Sequence, residues 1–124
     1  MANKRRVHKV GERIQALIAM ELMRVADPRF YLVTITSVIV TPDLRNAKVY
    51  WTATGGKDRV PDVEEAFENA RRMFKRIIGK ELGIKFAPDL KFFYDDTIDT
   101  LEEVERLMSR IKTEPSEIDE EQHN

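Results

Sequence analysis

Six bases, Arg71, Arg72, Lys75, Arg76, Lys80 and Lys85, stand in residues 70–85 against one acid, Glu81, a local charge of +5. A guanidinium offers a planar fork that matches phosphate oxygens, and an ammonium adds a mobile point charge, so a cluster of this density suits a polyanion. A second cluster opens the chain, with Lys4, Arg5, Arg6, Lys9 and Arg13 against Glu12, or +4. The whole chain nevertheless has a formal charge of −1, because residues 95–124 hold eleven acids and three bases. Positive and negative charge are therefore segregated, and the segregation is more informative than the sum.

The first cluster follows Glu64, Glu65 and Glu68, so acids precede bases along one helical pattern, as the helix dipole favours. Dipole matching accounts for two or three bases at a helix end. Five in ten residues, all opposite the apolar arc, point instead to an anion-binding face. At the chain start the dipole works against Lys4, Arg5, Arg6 and Lys9, which removes a folding role for them. They are either a solubilising arm or a phosphate-seeking one, and composition alone leaves both open.

Residues suited to catalysis are sparse. Asp95, Asp96 and Asp99 form an acidic knot of the kind that serves metal or acid–base chemistry, but Asp96 or Thr97 equally suits the cap of a final helix. His8 and His123 lie in charged terminal segments, and there is no cysteine. Thiol catalysis, disulfides and zinc–thiolate sites are thereby excluded. Gly55-Gly56 lacks the remainder of either nucleotide-binding fingerprint. Trp51, Phe92 and Phe93 are candidates for base stacking, although alternation assigns at least one of the two phenylalanines to the core. The expectation is a chain with no catalytic residue, metal, cofactor or small-molecule substrate.

The elements that must carry these groups are legible from periodicity. Val10, Ile14, Leu17, Ile18, Leu22 and Val25 predict a helix over about 8–25, ended by Asp27-Pro28. Residues 33–40 are β-branched almost throughout, and 47–53 alternate, so with the turn residues between them they predict an antiparallel hairpin. Pro61 opens a second helix whose stripe runs from Val63 to Ile78 and on toward Leu82, with Gly83 as its stop. Leu90–Tyr94 predicts a third strand. Residues 99–111 predict a last helix with Leu101, Val104, Leu107, Met108 and Ile111 on one face. With 124 residues, 42% of them hydrophobic, the chain supports one modest core. The expected fold is α+β, a three-stranded sheet covered by helices on one face, in a domain of residues 1–112. Residues 113–124, acidic and without apolar periodicity, are expected to be a disordered tail. No run of eighteen apolar residues and no signal-peptide pattern occurs, so a cytoplasmic protein is expected.

Three motifs, Asp27-Pro28-Arg29, Thr41-Pro42-Asp43-Leu44 with Ala47-Lys48-Val49-Tyr50, and Pro88–Asp95, resemble those of the ribosome-binding factor A family in order and spacing. The resemblance covers about residues 5–110. It implies a KH-like fold of type II order, α-β-β-α-α-β, followed here by a C-terminal helix and the acidic tail. It also implies a non-enzymatic assembly factor, monomeric when free. Such a factor binds the small (30S) ribosomal subunit and its 16S rRNA in late maturation, near the rRNA 5′ end and the decoding region, and is linked to growth in the cold. Ordinary KH domains clamp RNA with a GXXG loop, which is absent. The family instead has a helix–kink–helix at Ala-x-Gly, matched here by Ala70-Arg71-Arg72, with arginine replacing glycine. A kink is therefore expected to be milder or to sit near Gly79. The eleven bases of the two clusters are the expected RNA contacts. The alternative is a protein-interaction adaptor whose basic face meets an acidic partner.

Overall fold

The computed structural model describes residues 4–113. The expected acidic tail, residues 114–124 above all, lies outside them. Element order is α1 (Lys4–Arg24), β1 (Val33–Val40), β2 (Asn46–Ala53), α2 (Val60–Leu82), β3 (Asp89–Tyr94) and α3 (Thr97–Thr113), with short 3-10 turns at Pro28–Phe30 and Gly56–Arg59. β1 and β2 pair antiparallel, and β3 joins the far side of β2 in parallel, giving the order β1-β2-β3. This is the expected KH-like α+β arrangement.

The period-two pattern decides which face is buried. Ala47, Val49 and Trp51 of β2 point inward beside Leu90, Phe92 and Tyr94 of β3, their register partners. On β1 the alternation would fail at Thr36, but a bulge between Ile35 and Ser37 restores it, so Ile35, Val38 and Val40 all face the core. Phe67 of α2 lies at the centre. Its ring stacks on Phe92 at 4.5 Å and lies 5.7 Å from Trp51 and 4.9 Å from Phe30. Burying each such ring contributes about 1.5–3 kcal/mol.

α1 and α2 cover this face side by side, α1 over β1 and α2 over β3. Gly11 sets how closely α1 approaches, since a Cβ there would lie 2.8 Å from the Val38 carbonyl oxygen. A glycine inside a helix costs about 1 kcal/mol relative to alanine, and the close packing it permits offsets that cost. α1 begins at Lys4, a full turn before its expected start. The basic residues Lys4, Arg5, Arg6 and Lys9 are therefore helical and not a separate arm.

α2 runs without interruption through Ala70-Arg71-Arg72 and through Gly79, so the α-α pair of the implied order is one helix here. Arginine is the better helix former than glycine by nearly 1 kcal/mol, which removes the local reason for a break at residue 72. α3 differs from expectation in another way. Its stripe of Leu101, Val104, Leu107, Met108 and Ile111 forms on one face as expected, but all five side chains are exposed and the helix makes little contact with the body.

Candidate nucleic-acid interface

α2 ends in a Schellman-type reversal. Gly83 takes a left-handed conformation at φ 65°, the Ile84 amide donates to the Gly79 carbonyl at 3.0 Å, and the Gly83 amide donates to the Lys80 carbonyl. The chain then returns to the sheet, where Pro88 is fully buried and Asp89 opens β3. Between these anchors the loop presents Lys85 and Phe86 beside the last two turns of α2. The Lys85 ammonium sits 5.5 Å from the centroid of the Phe86 ring.

The six bases of the second cluster are not equivalent. Arg72, Arg76, Lys80 and Lys85 are exposed, and none has an ion pair among the described residues. Arg71 is half-buried and pairs with Glu68 on the preceding turn. Lys75, also half-buried, reaches across to β3 and holds Asp89 at 2.5 Å. That hydrogen bond, with Arg71 and Lys91 adding attraction, holds the Asp89 carboxyl below its ordinary range. Asp89 is thus the acid built into the edge of the basic face, and it engages one of the lysines that a phosphate would otherwise meet.

The first cluster connects to the second through Arg13. Its guanidinium donates to the Glu81 carbonyl at 3.2 Å, one of the carbonyls left open at the C-terminus of α2. At 100° per residue, Arg6, Lys9 and Arg13 lie within about 60° of one another, so they form one flank of α1. That flank adjoins the end of α2, and Arg6, Lys9 and Arg13 are exposed on it. Lys4 and Arg5 are exposed in the first turn, Lys4 on the far side of the helix and Arg5 about 40° beyond Lys9, at the edge of that line. Of the eleven expected contacts, Arg72, Lys75, Arg76, Lys80 and Lys85 line one depression, and Arg13, on the flank with Arg6 and Lys9, bonds the end of the same helix. The structure ties Arg71 and Lys75 to acids, and leaves Arg5 at the margin and Lys4 on the far side.

The other candidates resolve differently. Asp95 is a structural joint. It accepts from the Thr97 amide at 3.0 Å and the Thr97 hydroxyl at 2.6 Å, starting α3, and from the hydroxyl of the bulged Thr36 at 2.7 Å. These bonds hold its carboxyl below the ordinary range. The side chain that caps the start of α3 is thus Asp95, in place of the expected Asp96 or Thr97. Asp99 accepts from the Tyr94 hydroxyl, and burial together with that bond pushes the phenol up to about 12. Trp51 and Phe92 are core residues, while Phe93 projects from the open sheet face next to Tyr50, ring centroids 5.6 Å apart. Arg29, from the first family-like motif, is held by Asp27 at 2.7 Å and reaches Glu65 of α2 at 3.8 Å, so it braces the fold.

Phe86 is the residue that periodicity did not single out. It is 80% exposed. Its signal in the sequence was position: an aromatic flanked by Lys85 and Ala87, beyond a helix-stopping glycine and outside any apolar stripe.

A family model described as ribosome-binding factor A matches residues 6–108. The chain belongs to the ribosome-binding factor A family. A ribosome-binding factor A from Cutibacterium acnes is 38% identical over 114 residues, covering 91% of this chain and 80% of the relative. A solution structure of a Thermotoga maritima ribosome-binding factor A homologue superposes with a TM-score of 0.66 at 28% identity, over 75% of this chain and 90% of the other. A Thermus thermophilus ribosome-binding factor A, fitted as a homology model into a cryo-EM map of its 30S complex, has the same fold. Its TM-score is 0.61 at 21% identity, over 73% of this chain and 94% of that one. Among the described residues no helix is long and apolar enough to cross a membrane.

Proposed function

We propose that this member of the ribosome-binding factor A family is a ribosome assembly factor. It binds the small subunit and its 16S rRNA during late maturation and assists processing of the rRNA 5′ end. Binding is electrostatic and non-catalytic, and the working compartment is the cytoplasm, as a monomer when free. Residues 1–112 act as the binding domain, and the acidic residues 113–124 as an extension outside it.

The observation that carries this proposal is the joining of the two basic clusters into one surface. Arg13 bonds the end of α2, so the flank Arg6-Lys9-Arg13 and the group Arg72-Arg76-Lys80-Lys85 form a continuous basic strip. A strip of exposed arginines and lysines meets successive phosphates of an irregular RNA. The dipole of α2 points its negative end at this strip, which holds the cations in place without neutralising them.

Cosedimentation with purified small and large subunits tests the proposal. Retention on small subunits in preference to large ones supports it. Equal retention on both, or none on either, contradicts it, and salt-sensitive capture of an acidic protein in place of either subunit would favour the adaptor alternative.

A further inference from the structure

The end of α2 and the loop after it enclose an open depression of about 500 Å³. Its walls are not uniformly basic. Arg72, Lys75, Arg76 and Lys80 line the α2 side, Lys85 and the exposed ring of Phe86 line the loop side, and Gly79 lies between them. Gly79 brings no side chain to that wall; a Cβ there would lie 3.5 Å from the Ile84 carbonyl oxygen.

We infer that this depression binds one unpaired nucleotide of the RNA, its base stacked on Phe86 and its flanking phosphates held by Arg72, Arg76 and Lys80. The inference rests on the RNA-binding function proposed above and adds a chemical class to it: a single-stranded residue with an exposed base face. Three observations support it. First, Phe86 is 80% exposed although Ala87 and Pro88, which follow it, are packed against the body. The backbone is therefore fixed while the ring projects, which is the geometry of a stacking platform and not of a misplaced core residue. Second, the ring already has a cation on it, Lys85 at 5.5 Å from its centroid. A base arriving on the open side of the ring would have an ammonium close by for the adjoining phosphate. Third, four of the five cations that line the depression, Arg72, Arg76, Lys80 and Lys85, have no ion pair among the described residues, and only Lys75 is engaged, by Asp89.

Single-stranded RNA is favoured over duplex because duplex bases are already stacked on each other and offer the ring no face. An apolar protein partner would not explain why four unpaired cations surround one aromatic side chain.

The test compares wild type, Phe86→Ala and Phe86→Trp. The probes are a single-stranded RNA octamer carrying one 2-aminopurine and a duplex of the same length. For the octamer, Phe86→Ala should weaken binding roughly 5- to 150-fold, the range for loss of one base–aromatic stack. Phe86→Trp should bind within about threefold of wild type, and both wild type and Phe86→Trp should change the 2-aminopurine fluorescence on binding. Duplex affinity should be the same for all three proteins. Equal octamer affinity for wild type and Phe86→Ala overturns the inference, as does an equal loss on octamer and duplex. A loss seen only on small subunits and not on naked RNA assigns Phe86 to a protein contact, which also overturns it. Wild-type binding to small subunits, measured in parallel, keeps the two proposals apart. Intact subunit binding with an unaffected Phe86→Ala removes the stacking site alone. Octamer binding through Phe86 without subunit binding removes the assembly function and leaves the site standing.

Discussion

Arg72→Gln with Arg76→Gln is the perturbation whose size the structure sets most directly. Both side chains are exposed, neither has an ion pair among the described residues, and glutamine is close to arginine in helix propensity. The fold should therefore be nearly indifferent, with a thermal midpoint within about 3 °C of wild type. Binding should not be. Each phosphate contact to single-stranded or irregular RNA contributes about 0.7 to the slope of log affinity against log salt, so losing two removes about 1.4. At 0.15 M salt, where the logarithm is about −0.8, that corresponds to roughly a 13-fold weaker complex. At 0.05 M the same arithmetic gives about 65-fold, and near 1 M the two proteins converge. The assay is fluorescence anisotropy of labelled protein titrated with small subunits at four salt concentrations. A double variant that is folded and binds as tightly as wild type would refute the reasoning. So would a loss that stays constant with salt, since the two arginines would then act through shape and not through phosphates.

Gly11→Ala should destabilise the fold by up to about 2 kcal/mol in urea denaturation, since the new Cβ lies 2.8 Å from the Val38 oxygen and the overpacking outweighs the gain of about 1 kcal/mol in helix propensity. A net stabilisation would show that α1 can lift off the sheet freely. Asp89→Asn releases Lys75 from its ion pair and should tighten binding to small subunits about fourfold at 0.15 M salt, the worth of one added phosphate contact. Unchanged affinity would place Lys75 outside the RNA path. The Asp95 carboxyl is held below its ordinary range by bonds to Thr97 and Thr36, so its contribution is present above the unfolded value near pH ~4 and disappears as pH falls through the depressed folded value. Asp95→Asn should therefore flatten the acid side of a plot of melting temperature against pH, and an unaltered acid limb would contradict that assignment.

Much of the fold was legible because its signals are local. The β-branched run Val33–Val40, the alternation of Ala47–Ala53 and the Gly83 stop each act through the residues that carry them, and each lies where expected. Parallel pairing of β3 with β2 has no local signal, since it depends on α2 returning the chain across the sheet. The apolar stripe of α3 misled for a related reason. Periodicity shows that Leu101, Val104 and Ile111 share a face, but it does not show whether the body offers that face a surface. The basic surface was half legible. Spacing put the cations of α2 opposite its core, yet the capture of Lys75 by Asp89, fourteen residues on, and the reach of Arg13 to Glu81 are tertiary contacts. Phe86 was missed because a single aromatic in a loop has no period to betray it.

The central claim is that one continuous basic strip, built from α1 and the end of α2, binds small-subunit RNA by its phosphates. The most direct measurement is the affinity of wild-type protein for purified small subunits from 0.05 to 0.5 M salt, with large subunits as the comparison. About four to six phosphate contacts predict a log–log slope of about −3 to −4 for small subunits, and tighter binding to them than to large subunits throughout. A slope near zero, or indistinguishable affinities for the two subunits, would contradict the account.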